Sequence, residues 1–186
     1  MLVDKGALSV VETLCRAGHQ AFLAGGCVRD MLMGHSPKDW DIATDASPAQ
    51  VQKLFARTLA VGERFGIVVV VLQEGQYEVA RFRRDGPYTD GRRPDHVEMA
   101  DAREDALRRD FTINGLFYDP ATDQVIDYVG GRADIERGIV RAIGDAQQRF
   151  EEDYLRLLRG VRFAARLSFS IESETYKALC QLAPRI

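Results

Sequence analysis

The sequence predicts an α+β fold, with a head over residues 1–144 followed by an all-helical neck over 145–186. Three observations predict it. Up to about residue 144, short apolar or β-branched runs alternate with helical periods. Turns built on Gly, Pro and Asp separate those runs. From Asp145 onward only helical periods remain, so strands interleaved with helices give way to helices alone.

The elements follow in order. Residues 4–17 set Leu8, Val11 and Leu14 at helical spacing. Ala21–Ala24 reads as a short strand running into Gly25-Gly26, and a short helix then carries Arg29 and Asp30. The chain next re-enters an extended segment, where Asp39 and Asp41 would project together while Trp40 points away. Ser47 as cap and Pro48 in the first turn open a helix to about Arg57. Residues 67–72 are strongly β-branched, and Glu74-Gly75 turns them into 76–82 as a hairpin. The stretch 83–94, R-R-D-G-P-Y-T-D-G-R-R-P, predicts a long mobile loop. A strand at 96–99 and a helix over about 101–109 come next, then a hairpin from 115–118 to 124–128 around Asp119-Pro120. Gly130-Gly131, a short helix and a last strand at 140–143 complete the head. Glu151, Glu152 and Asp153 open the neck helix.

Composition sets bounds. A hydrophobic content of 46% with 28% charged residues suits a soluble globular protein of 186 residues. No window approaches the roughly 18 consecutive apolar residues of a membrane helix, so no membrane partner is expected. Asp4, Lys5 and Glu12 interrupt any signal-peptide core. Cys15, Cys27 and Cys180 are far apart and odd in number, as expected of thiols in a reducing cytoplasm. The net charge of −3 argues against a uniformly basic nucleic-acid binder. Of 25 basic residues only four are lysine, and the arginines gather at 81–93, 103–109 and 156–166. Arginine suits bidentate contact with phosphates and base edges.

Three constellations carry chemistry. Asp39 and Asp41 form a carboxylate pair able to hold hard divalent cations, of the kind that supports phosphoryl or nucleotidyl transfer. Gly25-Gly26 leaves backbone N–H groups bare at a helix start, where an anion such as a triphosphate is favoured; a plain tight turn is the competing reading. The second constellation is Arg108-Arg109-Asp110-Phe111-Thr112-Ile113-Asn114, suited to a triphosphate and sugar or, alternatively, a charged helix end complementing its dipole. The third is the neck helix. At about 100° per residue, Arg156, Arg159, Arg162 and Arg166 share one third of its circumference, bordered by Asp153. Leu157, Leu158, Val161, Ala164 and Ala165 form a separate apolar face. Such a stripe is self-repelling unless an anion or a base edge neutralises it; a solvated face with scattered acidic partners is the alternative.

Asp153 with Arg156 also offers a base-selection rule. Cytosine and adenine present an amino donor beside a ring-nitrogen acceptor, which an aspartate and an arginine complement. Uracil and guanine present the reverse, and each buried polar group left unpaired costs ~1–3 kcal/mol.

G-G-C-V-R-D…D-W-D, R-R-D-F-T-I-N-G-L, V-I-D-Y-V-G-G-R-A-D-I and E-D-Y-L-R-L-L-R-G-V-R-F-A-A-R-L stand in the order seen in class II tRNA nucleotidyltransferases. The chain resembles that family, the CCA-adding enzymes and related bacterial poly(A) polymerases, over essentially its whole length. The resemblance implies a polymerase-beta-like head, a mixed sheet flanked by helices, with a helical neck that selects the nucleotide. It implies addition of CMP and AMP from CTP and ATP to a tRNA 3′ end, with magnesium in a two-metal site on Asp39 and Asp41. Gly26 and Arg29 match triphosphate contacts, and Arg109 matches a nucleotide-contacting arginine. Asp153, Arg156, Arg159 and Arg162 match neck residues that act as a protein template for C and A. Residues 83–94 resemble the flexible loop that helps switch between those bases. Glu78 is a candidate third acidic group beside the metals, or an edge-strand surface glutamate. Poly(A) polymerase, an A-only or CC-only adding enzyme and a non-catalytic nucleotide- or RNA-binding fragment are the alternatives. Two departures stand out: Gly66-Ile67 replaces the usual Gly-Thr, and the stop at Ile186 leads us to expect a fragment of a longer protein.

Overall fold

Asp4 opens α1 (Lys5–Arg16) by accepting from the backbone N–H groups of Gly6 and Ala7 at 2.9 and 3.0 Å. That satisfies two donors a helix start leaves bare. The structure, a computed structural model, describes residues 3–59 and 65–186.

β1 (Ala21–Ala24) runs into α2 (Gly26–Leu32), and β2 (Asp41–Thr44) precedes α3 (Pro48–Leu54) and β3 (Thr58–Leu59). Ser47 caps α3 with Pro48 in the first turn as expected, and Gln50 completes a capping box, but α3 ends at Leu54, before Arg57. β4 (Ile67–Val71) and β5 (Gln76–Arg81) make the expected hairpin, closed by Leu72 N–H donating to Gly75 O at 2.9 Å. β6 (Arg83–Asp85) and β7 (Val97–Met99) pair as a separate ribbon, α4 (Ala102–Leu107) follows, and β8 (Leu116–Asp119) with β9 (Gln124–Asp127) forms the second hairpin. The main sheet has the order β3-β4-β5-β2-β1-β8-β9, with β2 and β5 parallel and the other pairs antiparallel, so it is mixed.

Alternation along the strands gives this sheet two different faces. Leu23, Ile42, Val68, Val70 and Val79 point to one face and are sealed by Val10 and Leu14 of α1, Val28 of α2 and Val51 of α3. Ala24, Ala43 and Phe117 point to the other, where Ala102 and Ala106 of α4 cover only part of the surface. Asp41 and Glu78 fall on this half-covered face, one residue out of step with buried Ile42 and Val79.

α5 (Gly131–Arg137), β10 (Ile139–Val140), α6 (Ala146–Glu152), α7 (Leu155–Leu167), β11 (Ser170–Ile171) and α8 (Ser173–Leu182) complete the order. Three expectations need correction. The last head strand is Ile139–Val140 rather than 140–143, with Ala142 reduced to a single bridge to Phe111. The neck is not helix alone, because Ser170–Ile171 pairs parallel with that strand. Glu151 and Glu152 close α6 instead of opening the arginine helix. The chain breaks at Asp153–Tyr154, where Tyr154 N–H donates outward to Gly91 O at 3.0 Å and Asp153 Oδ1 accepts from Leu155 N–H at 3.0 Å. Phe111, Ile113 and Val140 share one core with Phe150, Leu157, Phe163 and Ala178, so the two halves pack through common apolar contacts.

Candidate functional site

The half-covered face of the sheet, the segment that follows α4 and the neck helix α7 enclose a cleft of about 700 Å³. Its floor carries Asp41 and Glu78, which face each other as register partners on the parallel strands β2 and β5. Among the described residues neither carboxylate has a hydrogen-bonded or ion-paired partner. Burial, with the Glu78 carboxylate beside it, raises the Asp41 carboxyl above its ordinary range; Arg109 offsets part of this and Asp39 adds to it. Glu78 lies on an interior strand, so the edge-strand reading is corrected. Asp39 is exposed in the bend before β2 and does not line the cleft, whereas the sequence placed it in one extended segment with Asp41.

Gly25 and Gly26 border the floor. Gly25 has φ +72° and ψ −124°, a conformation open to glycine, and a Cβ there would lie 2.9 Å from Arg109 Nη1. Gly25→Ala is therefore expected to lower stability by about 1–3 kcal/mol and to displace Arg109; the urea midpoint checks the first effect and the affinity for CTP the second. Arg109 lies over the Phe117 ring at 5.0 Å, donates from Nε and Nη2 to Asp105 Oδ2 at 3.2 and 3.0 Å, and reaches Asn114 O at 3.3 Å. Arg29 is only 4% exposed, not a surface helix charge. Its Nη1 donates to Asn114 Oδ1 at 2.6 Å, its Nε and Nη2 donate to Asp30 Oδ1 at 2.9 and 2.6 Å, and Phe163 lies against it at 5.4 Å. Among the described residues, two of the five N–H groups of this guanidinium stay uncommitted.

Arg156, Arg159, Arg162 and Arg166 all line the opposite wall, as their spacing implied. The stripe is less self-repelling than expected, because two members have acidic partners. Arg156 donates to Glu152 Oε2 at 2.6 Å and to Arg149 O at 2.8 Å. Burial works against its charge, but the Glu152 hydrogen bond prevails and holds its pKa above the ordinary value. Arg159 donates to Asp110 Oδ2 at 2.6 Å. Arg162 sits over Phe163 at 5.4 Å, and among the described residues neither it nor Arg166 has an acidic partner. Asp153 lines the cleft beside Arg156 without pairing with its guanidinium.

The 83–94 stretch is not loop throughout, and its irregular part, 86–94, has contacts to the rest of the fold. Residues 83–85 are β6, the Tyr88 hydroxyl donates to Asp85 Oδ2 at 2.6 Å, and Arg156 Nη2 donates to that hydroxyl at 3.3 Å. Arg92, Arg93 and Pro94 then rim the cleft, and Ile67 presents an apolar side chain where the resemblance led us to expect a hydroxyl. Sequence reasoning named Asp110 and Glu152 without the arginines they aim, and missed Asp105 and the Phe163 platform. For Asp105 and Glu152 the available signal was an acid three or four residues from an arginine, which alone reads as an ordinary helix pair; Asp110 meets Arg159 across 49 residues, with no local signal.

A mixed sheet with helices on one face and an acid-floored, arginine-walled cleft on the other is a polymerase-beta-like nucleotidyltransferase fold. The chain belongs to the Poly A polymerase head domain family, whose profile matches residues 21–141. It is 46% identical over 180 residues to the CCA-adding enzyme of Lactiplantibacillus plantarum, covering 96% of this chain and 44% of that protein. The crystal structure of the Bacillus stearothermophilus CCA-adding enzyme in complex with CTP superposes with a TM-score of 0.88 at 41% identity, over 96% of this chain and 43% of that one. A tRNA nucleotidyltransferase complexed with a primer tRNA and an incoming ATP analog gives a TM-score of 0.78 at 31% identity, over 94% of this chain and 50% of that one. The chain thus spans about half the length, or less, of these relatives.

Proposed function

We propose that this chain is the head, residues 1–144, and the beginning of the nucleotide-selecting neck, residues 145–186, of an enzyme that adds CMP and AMP from CTP and ATP to a tRNA 3′ end. The observation that carries this reading is one cleft with bare carboxylates on its floor and arginines with Asp153 on its wall. The RNA 3′-hydroxyl attacks the α-phosphorus, the bond to pyrophosphate breaks, and the hydroxyl proton is lost. Arg109 and Arg29, with the Gly26 end of α2, hold the triphosphate; Arg156 and Asp153 read the base edge, with Arg159 and Arg162 completing that wall.

The carboxylates suit magnesium. No group of three ligating side chains assembles among the described residues, but this ion is commonly held by one or two carboxylates together with substrate phosphates. Asp41 and Glu78 would hold it from the cleft floor, and Asp39, which lies in the bend outside the cleft lining, would complete a two-metal site only by turning inward. When bound, it supplies Lewis-acid stabilisation of the attacking and leaving oxygens.

The test is incorporation of each labelled nucleotide onto tRNA transcripts ending before the CCA, with magnesium and without it. Addition of C, C and A followed by arrest is expected. A long A tract would reassign the activity to poly(A) polymerase, and C alone or A alone to a partial adding enzyme. Nucleotide binding without incorporation would mark a binding fragment. Asp153→Asn keeps an oxygen for the Leu155 N–H but brings a donor to the base edge. It is expected to narrow the preference for CTP over UTP by about tenfold or more while overall rate falls less, read from kcat/KM for each nucleotide.

A further inference from the structure

We propose that Asp105 is a positioning residue that holds Arg109 at the triphosphate end of the cleft and away from the Asp41 carboxylate. The inference rests on the nucleotidyltransferase reading above. Asp105 is 1% exposed on α4 beside apolar Ala102 and Ala106. Its Oδ2 takes the Nε and Nη2 edge of Arg109 at 3.2 and 3.0 Å. Its Oδ1 takes Arg108, with Nε at 2.9 Å and Nη2 at 2.7 Å, and also accepts the backbone N–H of Arg83 at 3.3 Å. Arg108 Nε donates in turn to the Arg83 carbonyl at 3.1 Å, so the root of the 83–94 segment is tied to the same carboxyl.

Stability alone does not call for this arrangement. A buried ion triad is often no better than apolar packing, and this one lies against a small apolar cluster. Orientation accounts for it better. With one edge on Asp105, Arg109 is left with its Nη1 edge toward the Gly25 turn, where a Cβ would already crowd it. Released from Asp105, its remaining contacts among the described residues are Asn114 O and the Phe117 ring, and it lines the same cleft as the Asp41 carboxylate. An arginine that swung onto Asp41 would remove a triphosphate contact and neutralise a metal-binding oxygen in one movement.

The test is calorimetric binding of CTP and of inorganic tripolyphosphate to the 186-residue chain in magnesium, for wild type, Asp105→Asn, Arg109→Ala and the double variant. Asp105→Asn is expected to weaken both ligands about tenfold and to raise the magnesium concentration needed for half-maximal binding. In the Arg109→Ala background it is expected to change affinity less than twofold, because the two residues act as one unit. Asp105→Glu retains the charge but displaces the carboxyl by a methylene; it is expected to weaken binding at least threefold and guards against poor folding of the asparagine variant. Wild-type affinity in a folded Asp105 variant, or an undiminished loss in the Arg109→Ala background, would overturn the proposal. Wild type binding neither ligand would overturn the nucleotide reading itself, and this inference with it.

Discussion

Asp41→Asn is expected to lower incorporation of CMP or AMP by at least about a thousandfold while leaving the melting temperature unchanged or raised. The substitution keeps the side-chain shape and removes one anionic oxygen from the cleft floor. Activity is lost because the remaining partner, Glu78, stands alone in register on β5, and an amide oxygen is a poor ligand for a hard divalent ion. The fold tolerates the change because the Asp41 carboxylate accepts no hydrogen bond among the described residues. The charge argument points the same way. Burial and the facing Glu78 raise the Asp41 carboxyl above its ordinary range in the folded chain. A raised folded-state value means the native protein binds that proton more tightly than the unfolded chain does. Ionisation therefore weakens the fold as pH rises through that window, and asparagine removes the penalty. Single-turnover kinetics, and melting curves taken across the titration of the Asp41 carboxyl in wild type and variant, check both halves. Normal turnover in a folded variant would sink the metal-site assignment, and a large fall in melting temperature would make Asp41 a structural residue instead.

The parts of this fold that were legible in sequence are those with explicit local punctuation. The Gly25-Gly26 turn, the Ser47-Pro48 helix start and the hairpin closed at Gly75 are fixed by residues within a few positions of one another. What escaped depends on distant partners. Strands of two residues such as Ile139–Val140 and Ser170–Ile171 carry no readable period, and they exist because they pair with each other. In E-E-D-Y-L-R the local signal is Asp153, whose Oδ1 accepts from Leu155 N–H, but it does not distinguish a helix start from a helix interior; the break also draws on a distant partner, with Tyr154 giving its N–H to Gly91. The 83–94 stretch has the composition of a free loop, yet Tyr88 and Gly91 tie it to the neck. The cleft residues themselves were visible as residue types. Their aim was not, because Asp105 carries no signal of its own and Asp110 reads only as the acid of its motif until the fold buries each one against an arginine.

Phe111→Ala is expected to cost about 3–5 kcal/mol of folding free energy, a large share of the 5–15 kcal/mol typical of a domain. The ring is fully buried, 5.8 Å from Phe163 in an edge-on arrangement and 6.3 Å from Phe150 in a tilted one. Its far edge packs on Gly160, where a Cβ would come within 3.0 Å, so α7 lies directly on it and little can collapse into the vacated volume. Phe111 belongs to the head by sequence, while Phe150, Leu157 and Phe163 belong to the neck, so the loss is expected to lower the stability of both together. Urea unfolding should show one transition in wild type and one in the variant, displaced by about 2 M. A variant that instead unfolded in two steps would show that the shared core does not couple the halves. The cleft should register the change as well. Phe163 carries Arg29, Arg159 and Arg162 against its ring at 5.3 to 5.4 Å, so an arginine from the head and two from the neck share one platform. With Phe111 gone that platform loses its edge-on support. Nucleotide affinity measured on the folded fraction is then expected to fall, whereas affinity unchanged on that fraction would separate the platform from Phe111 and confine its role to stability.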